Sequence, residues 1–359
     1  MSNGSRGCLA LAFLAVTVTG CETATGPDEG AFDARAALAD YQALDAILAS
    51  DGWRGFLAMG GAVSFPSVAP GAEFAVAGAQ SLRVFRGAGD ARSFAARLAG
   101  AGATPLHAAS APVISPLHRG RTLVYDAELG RYVVDPDRTG APATGVRLIV
   151  YQSVAGKPDP AHEIGYADLI DEGDASAEDI ALRLVVVSGE RTVLDYRTTL
   201  DESGGHGRIT VDGFLRDEDD QLDFEIDVSG SEGALDVAFR MAVESRSFEI
   251  EGAVAGAKQG ESETGDIDVS VAHGGESFRV ALTGTPTSLG GTVYLNGNPF
   301  VEVSGHPAAP AFARLGGGAL TQLERLVLYR VVDIVEDVFD LFENLLDPID
   351  ELVILAVIL

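Results

Sequence analysis

The residues with side chains suited to catalysis or metal binding are few and scattered along this sequence. Its six histidines are His107, His118, His162, His206, His273 and His306. The segment from His162-Glu163 begins like a helical zinc-protease motif, but Tyr166 stands where the second histidine is needed. His206 and His273 lie in glycine-rich turns, which favours ordinary surface histidines. With no nucleophile elbow, Walker loop or dinucleotide fingerprint, the sequence predicts no catalytic residues, no cofactor and no enzyme.

Acidic clusters are the one recurring polar feature. They are Asp171-Glu172-Gly173-Asp174, Asp217-Glu218-Asp219-Asp220, and the group Glu261, Glu263 and Asp266. Because calcium takes roughly six to eight oxygen ligands, such clusters make weak calcium binding at these turns one expectation. None has the spacing of an EF-hand loop, so solvated turns that protect sheet edges are the favoured interpretation. No specific metal ligand is predicted.

The first residues are typical of an export signal. Arg6 supplies a positive charge, eleven mostly apolar residues follow, and small residues precede Cys21. The apolar run is too short to cross a bilayer, which needs roughly 20 residues. The junction Val18-Thr19-Gly20-Cys21 resembles the lipobox of bacterial lipoproteins, in which the cysteine thiol takes a diacylglycerol thioether. An ordinary secretory signal with a chance cysteine is the alternative.

The lipobox resemblance implies cleavage after Gly20 and lipid attachment at Cys21, which would anchor the mature chain to a membrane of the cell envelope. Residues 1–20 would be the signal peptide and residues 21–30 a polar tether. In this family an Asp after the cysteine often retains the protein at the inner membrane. Glu22 stands there instead, so the outer membrane is favoured over the inner membrane.

Composition indicates a folded and strongly acidic protein. Hydrophobic residues make up 47% and charged residues 22% of the chain, as in folded domains. The formal net charge is −28, and it would be −29 after cleavage, because residues 1–20 contain Arg6 and no acid. Such a charge repels phosphates, which excludes nucleic acid as an electrostatic partner. Loss of Cys8 and acylation of Cys21 would leave no thiol for a disulfide or a thiolate metal site.

The elements before residue 121 are expected to pack on the main domain. Phe32 to Ser50 has apolar residues at helical spacing, and Asp51-Gly52 is interpreted as its stop. The rest of residues 31–120 is rich in Ala and Gly. It predicts short strands around Phe74 and Val84 and a short helix over residues 91–98.

From residue 121 to residue 304 the pattern has a period of two, which predicts about fourteen strands in an antiparallel meander. A hairpin is expected around Glu128-Leu129-Gly130, and Asn296-Gly297 is a strong two-residue hairpin signal. Alternation is cleanest between Leu222 and Leu282, so each strand there should have one dry face and one wet, acidic face. The acids expected to be exposed on the wet face are Asp223, Glu225, Asp236, Glu249 and Asp268.

Residues 311–359 predict a C-terminal amphipathic helix followed by an apolar tail. The helix is expected from Ala319 to Leu346, with Val327, Val331, Ile334 and Val338 on its apolar side. The tail, Leu352 to Leu359, is too short to span a bilayer, so core packing or pairing with the sheet is favoured over membrane contact.

The sequence therefore predicts a mainly β, α+β fold: a large curved antiparallel meander or incomplete barrel whose apolar face is covered by the N-terminal and C-terminal helices. This plan is loosely similar to the incomplete-barrel proteins that carry lipids and lipoproteins between bacterial membranes, which implies an apolar ligand or lipid as partner. The alternative is a non-catalytic structural or protein-interaction lipoprotein with no cavity. The ligand-facing candidates are Phe224, Phe239, Ile250, Val269 and Val280.

Overall fold

The computed structural model describes residues 34–60, 114, 118–173, 180–203, 206–231, 234–259, 262–285, 287–306, 309–330, 341 and 345. All of them belong to one compact unit, Asp33–Leu359. The second unit, Met1–Phe32, lies outside the described residues, and so do Gly20 and Cys21.

Among the residues that the structure describes, two helices precede the sheet: α1 spans Ala34–Leu48 and α2 spans Asp51–Gly60. The first helix ends at Leu48, two residues before the expected end at Ser50, and Asp51-Gly52 starts a second helix that was not predicted. Ser50 Oγ accepts a hydrogen bond from the backbone N–H of Trp53 (3.4 Å), so it caps the N-terminus of α2. The strands and helix expected between residues 61 and 113 lie outside the described residues.

Fifteen strands form one open, curved sheet. They are β1 (Arg121–Asp126), β2 (Arg131–Asp135), β3 (Gly145–Val154), β4 (Lys157–Asp171), β5 (Ile180–Ser188), β6 (Arg191–Ser203), β7 (His206–Arg216), β8 (Gln221–Ser231), β9 (Ala234–Val243), β10 (Phe248–Gln259), β11 (Ser262–His273), β12 (Glu276–Thr285), β13 (Ser288–Leu295), β14 (Asn298–His306) and β15 (Ala309–Arg314). A 3-10 turn, Glu244–Arg246, joins β9 to β10. The mainly β class and the meander are confirmed.

From β3 to β15 each strand pairs antiparallel with the next one along the chain. The exception is β1, which lies between β2 and β3 and runs parallel to β3. The chain reverses twice after β1, so β3 returns in the direction of β1 and pairs with its free side. Strand pairing also continues past residue 304, to Arg314.

The two hairpin turns predicted from sequence are present. Asp126 and Arg131 are paired, and the N–H of Gly130 donates to the carbonyl of Asp126 over 2.8 Å. Asn296 and Gly297 have φ of 48° and 79°, the left-handed values that a two-residue type I′ turn requires at both positions.

The alternation between Leu222 and Leu282 places one apolar set inside, as predicted. Phe224, Phe239, Ile250, Val269 and Val280 are between 0% and 5% exposed. On the other face Glu225 and Asp236 are exposed, but Asp223, Glu249 and Asp268 are only half-exposed. For Glu249 and Asp268 the reason is pairing with an arginine on a neighbouring strand, which lays the carboxylate against the sheet.

The C-terminal helix, α3, is described over residues 322–330, and residues 341 and 345 are also helical. Its start is a capping box. Thr321 Oγ1 accepts from the N–H of Glu324 (3.2 Å), while Glu324 Oε2 accepts from the N–H of Thr321 (2.7 Å). Val327 is buried, whereas Val331, Ile334, Val338 and the apolar tail lie outside the described residues. None of the described helices is both long and apolar enough to span a membrane.

Candidate functional site

The largest feature that the fold builds is an apolar face shared by neighbouring strands. One row of directly opposed residues crosses seven strands, from β8 to β14. Its members are Ile226, Phe239, Gly252, Val269, Val280, Val293 and Val301. Side chains at one register position point to the same face, so this row forms a continuous apolar stripe. Three of the five ligand-facing candidates, Phe239, Val269 and Val280, are brought together in it.

A second row, one pleat along, contains the larger rings. It comprises Tyr196, Gly213, Phe224, Met241, Ile250, Val271 and Phe278. The rings of Tyr196 and Phe224 lie with their centroids 6.3 Å apart, across the glycine between them. This row holds the other two candidates, Phe224 and Ile250.

Glycine at position 252 makes room for the ring of Phe239. A Cβ atom built on Gly252 would overlap that ring, because Phe239 lies directly opposite on β9 and folds over β10. The phenyl group therefore replaces the missing side chain on its neighbour, which keeps the apolar stripe filled.

Helices α1 and α2 contact the apolar side of the sheet through aromatic side chains. Tyr41 of α1 meets Phe248 edge to face, with centroids 5.5 Å apart. Phe56 of α2 meets Tyr196 edge to face at 6.5 Å. Trp53 is 3% exposed, which confirms that it is a core residue. Helix α1 thus contacts β10 and helix α2 contacts β6.

The C-terminal helix is joined to the sheet by a buried hydrogen bond. The hydroxyl of Tyr196 donates to the carbonyl of Leu345 over 2.6 Å. Burial without a charged partner raises the pKa of Tyr196 well above that of an ordinary tyrosine, so the hydroxyl stays protonated and remains a donor.

The apolar face is closed where the candidate residues lie. Ile250 and Val269 are 0% exposed. A side chain that lines a cavity large enough for a ligand has surface that a water-sized sphere can touch, and these two have none. Their burial is confirmed, while contact with a ligand stays a prediction that requires the cover to move.

One end of the sheet carries the hairpin turns between β5 and β6, β7 and β8, β9 and β10, β11 and β12, and β13 and β14. At this end α1 contributes a buried acid, Asp40, which is 6% exposed. Nδ1 of His273, at the end of β11, contacts Oδ2 of Asp40. Nη1 of Arg246, in the 3-10 turn, lies 3.9 Å from Oδ1 of the same carboxylate.

The chain of polar contacts continues from Arg246 to the next turn. Arg246 Nη2 lies 2.7 Å from Oδ2 of Asp220, and Ser245 Oγ donates to Oδ1 of Asp220 over 2.6 Å. These two hydrogen bonds to its charged form lower the pKa of Asp220. Three separate turns and α1 are thus joined by a series of polar contacts. The residues that make them are named here the Asp40 cluster: Asp40, His273, Arg246, Asp220 and Ser245.

His273 is therefore not the ordinary surface histidine expected from its glycine-rich turn. Its side chain is 19% exposed and faces a buried carboxylate. Nδ1 of His273 and Oδ2 of Asp40 are buried and make no hydrogen bond with a described residue, so the pair lacks the hydrogen-bonded arrangement of a hydrolase triad. His162 is exposed, and its Nδ1 lies 2.7 Å from Oδ2 of Asp159.

A polar cleft of about 380 Å³ opens beside the Asp40 cluster. It is lined by Arg191, Arg216, Glu218, Asp219, Asp220, Gln221, Asp223, Glu244 and Ser245. These walls carry five carboxylates and two guanidinium groups, so the cleft is polar and acidic, unlike the apolar volume expected for a lipid carrier.

Two aspartates of the predicted acidic turns accept hydrogen bonds within the protein. Asp171 is 7% exposed, and its Oδ2 accepts from Arg119 (3.0 Å) and from the N–H of Ile114 (3.4 Å). Asp217 Oδ1 accepts from the N–H groups of Asp219 and Asp220, which closes its own turn. Within the part of the chain that the structure describes, no three His, Cys, Asp or Glu side chains are grouped to hold a metal ion.

The wet face pairs its arginines with acids across strands. Arg147 with Asp168 joins β3 to β4, Arg183 with Asp195 joins β5 to β6, and Arg279 with Asp268 joins β12 to β11. Because acids are in excess, the face remains acidic after these pairs form. The wet, acidic face predicted from alternation thus carries ion pairs between neighbouring strands. A period-two pattern cannot predict these pairs.

Sequence reasoning missed the Asp40 cluster. The available signal was an acid on the apolar side of α1, between the buried residues Ala37, Tyr41 and Leu44. An ionised group at such a position needs a partner from elsewhere in the fold.

Comparison with known proteins found no matching family model, no matching curated protein and no matching solved structure.

Proposed function

We propose that this chain is a membrane-anchored bacterial lipoprotein of the cell envelope, favoured at the outer membrane, that binds an apolar ligand or lipid on the apolar face of its sheet. The observation that carries the proposal is a continuous apolar stripe over β8 to β14. The lipid would enter by displacing part of the helical cover, since the face is closed in the unliganded protein.

A second candidate is favoured by a different observation. The complete burial of Ile250 and Val269 fits a packed core, and the acidic outer face is open to solvent. A non-catalytic structural or interaction lipoprotein would use that outer face and hold no ligand.

Anchoring rests on Cys21, and we predict that Cys21→Ser abolishes it. No second acylatable thiol would remain after cleavage, so the variant should accumulate as an unprocessed or soluble precursor. Membrane fractionation and mass spectrometry of the wild-type N-terminus measure this, and Cys8→Ser is the matched control that should be anchored normally. A Cys21→Ser protein that is cut and membrane-bound like wild type would contradict the assignment.

Ligand binding can be tested at Phe239, with Phe312 as a phenyl control. Phe239→Ala should lower the free energy of unfolding by about 3–5 kcal/mol, because a closed core cannot refill the lost volume. Phe312 on β15 is half-buried, so Phe312→Ala should cost clearly less.

A fluorescent long-chain fatty acid then separates the two functions. If the apolar face binds it, binding is saturable, raises the unfolding midpoint of the wild type, and changes in affinity in Phe239→Ala but not in Phe312→Ala. Absence of binding to the wild type, with the same stability costs, would favour the interaction protein and overturn the carrier.

A further inference from the structure

Strand β15 lies at one end of the sheet, and among the described strands it has a neighbour on one side only. Three alanines of this strand, Ala309, Ala311 and Ala313, are exposed to solvent. An edge strand presents unpaired N–H and C=O groups that another strand can bind. The free side of β15 is therefore an interaction surface that the proposed function does not use.

The pairing with β14 decides which backbone groups of β15 face its free side. The N–H of Leu315 donates to the carbonyl of Phe300 over 2.9 Å, so these two residues form a hydrogen-bonded pair. Such pairs alternate with non-hydrogen-bonded pairs along an antiparallel ladder. The odd-numbered residues of β15 thus direct their backbone groups to β14, and Pro310, Phe312 and Arg314 direct theirs to the free side. Because proline has no N–H, the free side presents the N–H groups of Phe312 and Arg314 and the carbonyls of all three residues.

We propose that this edge binds the same edge of a second copy of the chain, with the two β15 strands antiparallel about a two-fold axis. A two-fold axis uses one surface twice, so the donors of β15 must meet the acceptors of an identical strand. With Phe312 opposite Phe312 of the second copy, each donates its N–H to the carbonyl of the other. Arg314 then lies opposite Pro310 of the second copy, whose carbonyl accepts the N–H of Arg314. All four outward N–H groups of the two strands therefore find acceptors.

The charge at this edge allows two copies to approach, although the net charge of −28 makes the molecules repel each other. The last three strands, β13 to β15, contain one acid, Glu302, and one arginine, Arg314. By contrast, β8 alone contains three acids. Arg314 lies 3.4 Å from Glu324 of α3, which offsets its charge. In the antiparallel arrangement Arg314 faces a proline, so no like charges are opposed across the two strands.

Exposed apolar side chains adjoin the same edge. The rings of Phe312 and Tyr329 meet edge to face, with centroids 5.0 Å apart, so α3 lies beside β15. Tyr329, Leu326 and Leu323 are exposed and follow each other at helical spacing on α3. Leu315 is also exposed, and it would lie opposite Ala309 of the second copy. Clustered exposed apolar side chains are typical of protein–protein contact sites.

Introduced cysteines test the register. Ala311 of one copy would lie opposite Ala313 of the other, in a non-hydrogen-bonded pair whose Cα atoms are about 4.5 Å apart, a distance that a disulfide spans. Two Ala311 positions would be diagonal neighbours about 7–8 Å apart, where a disulfide requires backbone movement. Full-length Cys8→Ser/Cys21→Ser protein has no other thiol, so Ala311→Cys and Ala313→Cys are each made in it.

We expect an equilibrated mixture of the two proteins to form disulfide-linked dimers about tenfold faster than either protein alone. Ala238→Cys is the control for random collision, because Ala238 is an exposed alanine on β9, which has a neighbour on each side. Mixed with Ala313→Cys, it should react no faster than the single proteins do. Equal rates in the Ala311→Cys and Ala313→Cys mixture and in its components would overturn the proposed pairing.

Two substitutions of Arg314 separate its backbone N–H from its side chain. Arg314→Ala and Arg314→Pro both remove the guanidinium, but only proline removes the N–H on the free side. Edge strands tolerate proline where its missing N–H faces away from the sheet. In about 0.15 M sodium chloride, which screens the repulsion between copies, the parent and Arg314→Ala should form dimers in sedimentation velocity. Arg314→Pro should raise the dimer Kd about 30-fold, because two of the four hydrogen bonds are lost.

A parent protein that stays monomeric at every concentration would overturn the pairing and leave this edge to a strand of another protein. Association through any other surface would persist in Arg314→Pro and would also overturn it. Circular dichroism checks that each variant retains its sheet, and the cysteine experiment decides if Arg314→Pro does not fold. No lipid takes part in either experiment, so this pairing and the proposed ligand binding fail separately.

Discussion

The absence of a side chain at Gly252 decides how β9 and β10 pack. Gly252→Ala should force the ring of Phe239 out of its place, and overpacking of this kind costs about 1–3 kcal/mol. Gly265 on the next strand is the control, since its nearest neighbour for a new Cβ is the Ala255 carbonyl oxygen at 3.6 Å. Gly265→Ala should be neutral or slightly stabilising. Urea unfolding of the two variants measures the difference, and equal costs would contradict the role of Gly252.

The pairing of Asp268 with Arg279 should make the free energy of unfolding depend on pH in a defined direction. The hydrogen bond from Arg279 (2.8 Å) lowers the pKa of this carboxyl. Its contribution to stability is therefore present above the pKa of an unfolded aspartate, about 3.9, and is lost as pH falls through the folded value. The free energy of unfolding should drop more steeply between about pH 5 and pH 2 in wild type than in Asp268→Asn. Superimposable curves would show that the pair contributes nothing.

Among the secondary-structure elements, the C-terminal helix is attached to the sheet by the Tyr196 hydroxyl, and removing that hydroxyl tests how much the attachment contributes to stability. Tyr196→Phe keeps the ring and removes the donor to Leu345, which leaves a buried carbonyl without this partner. The expected cost is about 1–3 kcal/mol. Tyr294→Phe, at a half-buried site with no described hydroxyl bond, should cost much less. Thermal unfolding compares them, and hydrogen exchange should show the added loss confined to the C-terminal helix.

The sheet was predictable because one face is wet and one is dry. Where both faces follow that rule, as from β8 to β12, alternation located the strands and the buried side chains. Alternation is weaker in β7, where Gly213 interrupts the apolar residues, and in β15, which lies beyond residue 304 and whose Ala-Pro-Ala-Phe-Ala pattern carries little hydrophobic contrast. The start of α2 was missed because its capping serine was taken as part of the previous helix.

The candidate site was predictable only in its apolar part. Phe224 and Phe239 follow from local alternation, which depends on neighbours two residues away. Asp40 and His273 are about 230 residues apart in the chain. Their contact depends on where α1 docks, and no pattern within either segment contains that information.

The molecule as a whole carries a large net negative charge, because it has 53 acidic and 25 basic residues. Repulsion among unpaired acids should exceed the gain from cross-strand pairs, so raising sodium chloride from about 0.02 M to about 0.5 M should raise the unfolding midpoint. The effect should vanish near the sequence pI of about 4.4, where the net charge is small. A midpoint that falls with salt at pH 7 would mean that the ion pairs of the wet face outweigh the repulsion.

The order of the strands in the sheet also has a kinetic consequence. From β3 onward each strand pairs with the one just synthesised, so contacts between strands are short in sequence and the sheet can grow hairpin by hairpin as the chain emerges. Helix α1 emerges before all of them, yet its partners Phe248 and His273 come about 200 residues later. Helix α1 must therefore wait, with its apolar side uncovered, until β10 and β11 have formed.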